Sequence, residues 1–175
     1  MSIKVFRKLL IAGLVLAYPF LTHWVLPLWP ALPNLVLTMP PALLNGALAW
    51  LFGRTLRAGR EPLIATFARL ERAQLLHMPN VDLPPEMLGY TRTLTQIWSI
   101  LLCGMAIAAA LLSWSGMLGW WAWFTGAISY ALLGVLFAGE YVYRRLRFSQ
   151  YSHANPFQFA WFLIKSGPIW LRRIP

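Results

Sequence analysis

The stretch LTQIWSILLCGMAIAAALLSWSGMLGWWAWFTGAISYALLGVLFAGEYVYRRLR, Leu94–Arg147, decides the fold. From Thr93 to Gly139 no residue carries a charge; Glu140 then closes the run and Arg144, Arg145 and Arg147 follow. About 20 apolar residues cross the hydrocarbon of a bilayer as a helix. The stretch therefore holds two such lengths, Leu94–Trp114 and Trp120–Tyr141, joined at SGMLG, Ser115–Gly119. That predicts a membrane hairpin.

The rest of the chain extends this reading. Of its 175 residues 59% are hydrophobic and only 11% charged, a balance that excludes an ordinary soluble domain. Two more windows suit a membrane, Leu9–Leu28 and Leu35–Phe52. In the second, Pro40 and Pro41 remove backbone donors and Asn45 adds a polar group, which predicts a kinked helix. The first follows Lys4, Arg7 and Lys8 as a secretory signal would. It lacks a small-x-small cleavage site and a second span comes almost at once, so it reads as an uncleaved anchor. The expected fold is an all-α integral membrane protein of four transmembrane helices in two hairpins, spans 9–28, 35–52, 94–114 and 120–141.

Charge placement orients these spans. The net charge of +10 comes from residues up to Lys8, from Arg54–Arg92 and from Arg144 onward, and the connections WPALPN (Trp29–Asn34) and SGMLG hold no basic residue. The positive-inside rule then puts both termini and the loop 53–93 in the cytoplasm, against anionic headgroups. No nucleic-acid reading element accompanies the charge. Within the loop, Glu61–Leu76 sets Leu63, Phe67 and Leu70 against Arg69, Glu71 and Arg72, the pattern of an amphipathic helix on the inner leaflet. A helix starting at Pro84 or Pro85 is expected to run through Tyr90 and Arg92 into the third span. In the tail 148–175, PFQFAWFLIKS is too short to cross and reads as a second in-plane element.

Helix faces suggest pairings. Arg92, Gln96, Ser99, Cys103, Ala106 and Ala110 share one face of the third span, all polar or small; Gly126, Ser129, Leu133, Phe137 and Glu140 share one of the fourth. In an antiparallel hairpin turning at Gly116, facing residues have numbers totalling about 232. That pairs Arg92 with Glu140, Cys103 with Ser129 and Ala106 with Gly126. Arg144 lies one turn beyond Glu140 as a second partner. Glu140 reads as a structural charge neutralised by Arg92, or by Arg144 and water, with a carboxylate serving a proton or polar ligand as the other reading. The first hairpin sets Tyr18 opposite Asn45. His23, His77 and His153 share no ligand spacing, Cys103 is the only cysteine, and no nucleophile elbow, P-loop, dinucleotide fingerprint or zincin helix is present. No catalytic residue, metal or cofactor is expected.

DLPPEMLGYTRTLTQIWSILLCGMAIAAA (Asp82–Ala110), WAWFTGAISYALLGVLFAGEYVYRRLR (Trp121–Arg147), LPNLVLTMPPALLNGALAWLFGRTLR (Leu32–Arg57) and AYP (Ala17–Pro19) resemble a family of small bacterial inner-membrane proteins. These are encoded in clusters for aryl polyene and xanthomonadin-type pigments. DLPPE, YTR and FAGEY in that order carry the resemblance, which covers most of the chain but not the tail after Phe148. It implies a place beside enzymes that build polyunsaturated acyl chains on acyl carrier protein, an acidic partner for a basic face. It implies no catalytic residues. Tyr90, Arg92 and Glu140 are candidates from geometry and from their place in these segments. The expected role is an anchor or scaffold without its own chemistry. The alternatives are a membrane acyl or lipid transferase, needing a polar cavity near Arg92, Glu140 and Tyr90, or a lipid or polyene transporter acting as a homo-oligomer.

Overall fold

Residue 39 interrupts the second apolar window where the prolines predict a break. Asn34–Thr38 forms α1 and Pro40–Arg54 forms α2. The Met39 amide still bonds the Leu35 carbonyl and the Leu43 amide the Met39 carbonyl, both at 3.0 Å, so the hydrogen-bond ladder resumes directly after the kink. A computed structural model provides this description, which covers residues 13–14, 17–22, 34–75 and 82–147. Residues 17–22 are helical. Most of the expected first span and the whole tail 148–175 lie outside the described residues.

Helix α3 spans Leu63–Leu75 and α4 spans Pro85–Trp114. Pro85 opens α4 where a missing amide costs nothing, and Glu86 meets the positive end of the helix dipole. Its 30 residues join the YTR segment to the third apolar window without a break, as the sequence predicts. Gly116 ends it with a φ of +71°, a left-handed conformation that glycine adopts without steric cost. Leu118–Trp123 forms α5, which passes through a π-helical turn at Phe124–Ile128 into α6, Ser129–Arg147.

All the described regular structure is helical. Two lengths, Pro85–Trp114 and Leu118–Arg147, are long and apolar enough to cross a membrane. Only 28% and 17% of their most apolar windows is buried inside the protein. A core helix of a soluble protein buries most of such a window; here Ile100, Ile107, Leu111, Val135 and Phe137 face outward. Such a surface suits lipid better than water.

The chain divides into two compact units, Met1–Gly46 with Cys103–Val142, and Ala47–Leu102 with Tyr143–Pro175. In the first, the buried side chains include Thr38, Ala42, Met105, Ala109, Ser113, Trp121 and Ala122. In the second they include Thr55, Leu63, Ile64, Ala65, Thr91, Leu94, Thr95 and Trp98.

Two expectations change here. Residues of the small, polar face of α4 meet α2. In the first unit Ser113 hydrogen bonds Thr38, and a Cβ placed on Gly46 would lie 3.9 Å from that of Ala106. In the second unit Ser99 donates to the Ala49 carbonyl at 3.0 Å, and the Phe52 and Trp98 rings lie 6.1 Å apart. Facing residue numbers total about 150, the signature of an antiparallel pair. The partner surface on α2 is Ala42, Gly46, Ala49 and Gly53, small residues at alternating intervals of four and three, which admit close approach. Gly126, expected opposite Ala106, packs against the Phe20 ring, and Cys103 is exposed while Ser129 is buried.

The second change concerns α3. Its first turn is buried in protein, with Leu63, Ile64 and Ala65 at most 7% exposed. Its start is therefore part of the second unit's core.

Candidate functional site

Two polar constellations stand out, one in each unit. The first grows from the proline break. Pro41 has no amide hydrogen, so the carbonyl of Leu37, four residues earlier, loses its helical donor. Tyr18 fills the vacancy: its hydroxyl donates to the Leu37 carbonyl. Tyr18 therefore meets backbone eight positions before the expected Asn45, which is half-buried on α2. Around the same break, Trp121 Nε1 donates to the Thr38 carbonyl at 3.1 Å, and the Thr38 and Ser113 hydroxyls bond each other. Thr22 donates to the Tyr18 carbonyl at 2.6 Å and Thr125 to the Trp121 carbonyl at 2.7 Å. Thr38 and Trp121 are fully buried, and neither meets water.

In apolar surroundings an unpaired backbone carbonyl costs several kcal/mol, about the scale that keeps irregular backbone out of lipid. This cluster supplies side-chain donors at the break. Its chemistry is structural, since hydroxyls and an indole bonded to carbonyls hold no group poised to attack or to move a proton. Ser129 is the exception: its hydroxyl is buried without a hydrogen-bond partner. Glu140 lies in this unit, half-buried toward the end of α6.

The second constellation surrounds the start of α3. Thr55 donates to the Phe52 carbonyl at 2.7 Å and accepts from the Leu63 amide at 3.0 Å. Thr95 donates to the Thr91 carbonyl at 2.7 Å and accepts a longer bond, 3.4 Å, from the Ile64 amide. Each buried hydroxyl thus gives its proton to one helix and receives an orphan amide from the start of another. Thr91 in turn donates to Met87 and Leu88 carbonyls.

Cations ring this core. Arg92 donates to the Leu56 carbonyl at 2.9 Å, Arg54 lies 4.9 Å from the centre of the Trp50 ring, and Arg57, Arg60, Arg145 and Arg147 are exposed. The two carboxylates Glu61 and Asp82 approach one cation, Arg69, at 3.0 and 3.9 Å. Tyr90 stacks on Tyr143 with ring centres 5.1 Å apart and planes 14° apart, which brings the Tyr90–Arg92 turn of α4 beside the segment that carries Arg144. Ser99 is committed to α2, and Gln96 is exposed on α4.

Of the residues predicted for a site, Tyr90, Arg92, Gln96, Ser99 and Arg144 belong to this unit, and Tyr18, Asn45, Ser129 and Glu140 to the other. The sequence reading missed Thr38, Thr55, Thr95 and Trp121. At the break a signal existed: Pro40 and Pro41 bring no amide to the Val36 and Leu37 carbonyls, so donors there must come from elsewhere. Among the described residues no three His, Cys, Asp or Glu side chains are grouped to hold a metal ion.

Compared with known proteins, the chain matches no family model, no curated protein and no solved structure.

Proposed function

We propose that this chain is a bacterial inner-membrane anchor and scaffold that holds soluble components of aryl-polyene-type pigment synthesis, or of pigment hand-off, at its basic face. The observation that carries the reading is the clustering in one unit of exposed Arg57, Arg60, Arg92, Arg145 and Arg147 beside the Tyr90–Tyr143 stack. Basic residues gathered at the ends of membrane-length helices mark the cytoplasmic side, and tyrosines settle at the interface. In the proposed topology the windows 9–28 and 35–52 are also spans, giving four, with both termini and the loop 53–93 inside.

A dense cationic face attracts acidic partners over distances of about a Debye length and orients them as they arrive. Acyl carrier protein is the partner that the resemblance implies, and it has the matching sign. Apart from Ser129, the buried hydroxyls are engaged with backbone or, for Thr38 and Ser113, with each other, which favours a static holding role over a reacting centre.

Deleting the gene in its native host, separating inner from outer membrane and measuring polyene absorbance in lipid extracts tests the proposal. Loss of pigment from both membranes places the protein in synthesis; retention in the inner membrane alone places it in hand-off. Normal pigment in its normal place overturns the pathway assignment.

A further inference from the structure

The connection from α2 to α3 begins with RTLRAGR, Arg54–Arg60, which places three arginines within seven residues. Its backbone is held at several points. The Thr55 amide bonds the Phe52 carbonyl at 3.2 Å, the Leu56 amide the Gly53 carbonyl at 3.1 Å, and the Arg60 amide the Arg57 carbonyl at 3.2 Å. Thr55 ties the loop to the first amide of α3, and Arg92 reaches from α4 to grip the Leu56 carbonyl. Gly59, at φ +78°, makes the reversal that an L side chain would strain. The segment is built, and it presents cations.

Those cations have a surplus of unused donors. Glu61, the adjacent carboxylate, is paired with Arg69, as is Asp82. Among the described residues no carboxylate pairs with Arg54, Arg57 or Arg60, and Arg54 Nε is a buried donor with no acceptor. An anionic oxygen is the group that satisfies them. Next to the charges lies an apolar lane: Ala47 and Trp50 are exposed on the face of α2 that leads to Arg54, and Trp50 lies under the Arg54 guanidinium. A ligand matching both features carries an anionic oxygen cluster joined to a hydrocarbon chain.

We propose that the RTLRAGR loop is a binding site for the phosphodiester headgroup of an anionic phospholipid, with the acyl chains along Trp50 and Ala47. Arg57 and Arg60 supply the exposed contacts, Arg54 the contact nearest the chains, and Arg92 positions the loop through the Leu56 carbonyl. The site shares Arg57, Arg60 and Arg92 with the docking face proposed above; what distinguishes it is the held backbone of the loop and the exposed lane beside it.

The test uses the full chain purified in a neutral detergent, with native mass spectrometry to count bound molecules. The probes are dioleoyl phosphatidylglycerol, dioleoyl phosphatidylcholine and glycerol 3-phosphate. Two double variants lose equal charge, R57Q/R60Q in the loop and R145Q/R147Q on α6. All four side chains are exposed, so thermal midpoints should match the parent chain. The expected result is one saturable phosphatidylglycerol per chain, weakened about tenfold or more by R57Q/R60Q and within about twofold of the parent in R145Q/R147Q. Equal loss in both variants, or equal binding of phosphatidylcholine, would mean a diffuse field and no site. Glycerol 3-phosphate binding as tightly as the lipid would make it a site for soluble phosphate. Unchanged lipid binding in R57Q/R60Q, with loss of capture of an acidic carrier protein, would transfer the loop to protein docking and overturn the lipid assignment while leaving the scaffold reading intact.

Discussion

At the scale of single residues, the molecule turns on one missing hydrogen. Pro41 deprives the Leu37 carbonyl of its helical donor, and the Tyr18 hydroxyl replaces it. The two residues should therefore be coupled. Tyr18→Phe is expected to lower stability in detergent by about 1 kcal/mol, while in a Pro41→Ala background the same change costs nearly nothing, because Ala42's neighbour now supplies an amide. Additive thermal shifts across that double-mutant cycle would show that the hydroxyl does not compensate for the proline. Ser129 carries the opposite expectation. Its buried hydroxyl has no partner, so Ser129→Ala should be neutral or stabilising by up to about 1 kcal/mol; a loss of that size would reveal a bond that Ser129 makes.

At the scale of helices, the pairing of α2 with α4 depends on small side chains at the contact. A Cβ on Gly53 would lie 3.2 Å from Ser99 Oγ, which is held by its bond to Ala49. Gly134 on α6 has nothing within 4 Å of an added Cβ. Gly53→Ala should therefore destabilise by about 1–2 kcal/mol by displacing the Ser99 hydroxyl, while Gly134→Ala should gain slightly from helix propensity. Equal midpoints for the two variants would remove the close contact. Much of this level was legible in the sequence: the break at Pro40 and Pro41, the start of α4 at Pro85, the turn near Gly116 and the uncharged lengths of α4 and α6. Which helix meets Ser99 and Ala106 was not. Equal rise per residue gives a constant register against any antiparallel neighbour, so arithmetic fits α6 and α2 alike and cannot choose. The choice lies in the other surface, where Ala42, Gly46, Ala49 and Gly53 form a matching small face. The partner of Tyr18 escaped for a different reason, since a search for side-chain partners passes over a backbone carbonyl.

At the scale of the whole molecule, apolar surface and charge together carry the account. Two lengths of 30 residues leave most of their apolar windows outside the protein, and the described arginines gather in one unit. In the proposed topology, Cys103 lies exposed on α4 at lipid depth, out of reach of a water-soluble reagent. It should resist a water-soluble maleimide in intact membranes and react once detergent replaces the bilayer. In the proposed topology the RTLRAGR loop faces the cytoplasm and the turn between α4 and α5 faces the opposite side. The direct measurement places single cysteines at the exposed positions Ala58 and Ser115 in a Cys103→Ala background and labels them with an impermeant maleimide in right-side-out and inverted vesicles. The account predicts that Ala58→Cys reacts only in inverted vesicles and Ser115→Cys only in right-side-out ones; labelling of both from one side would contradict it.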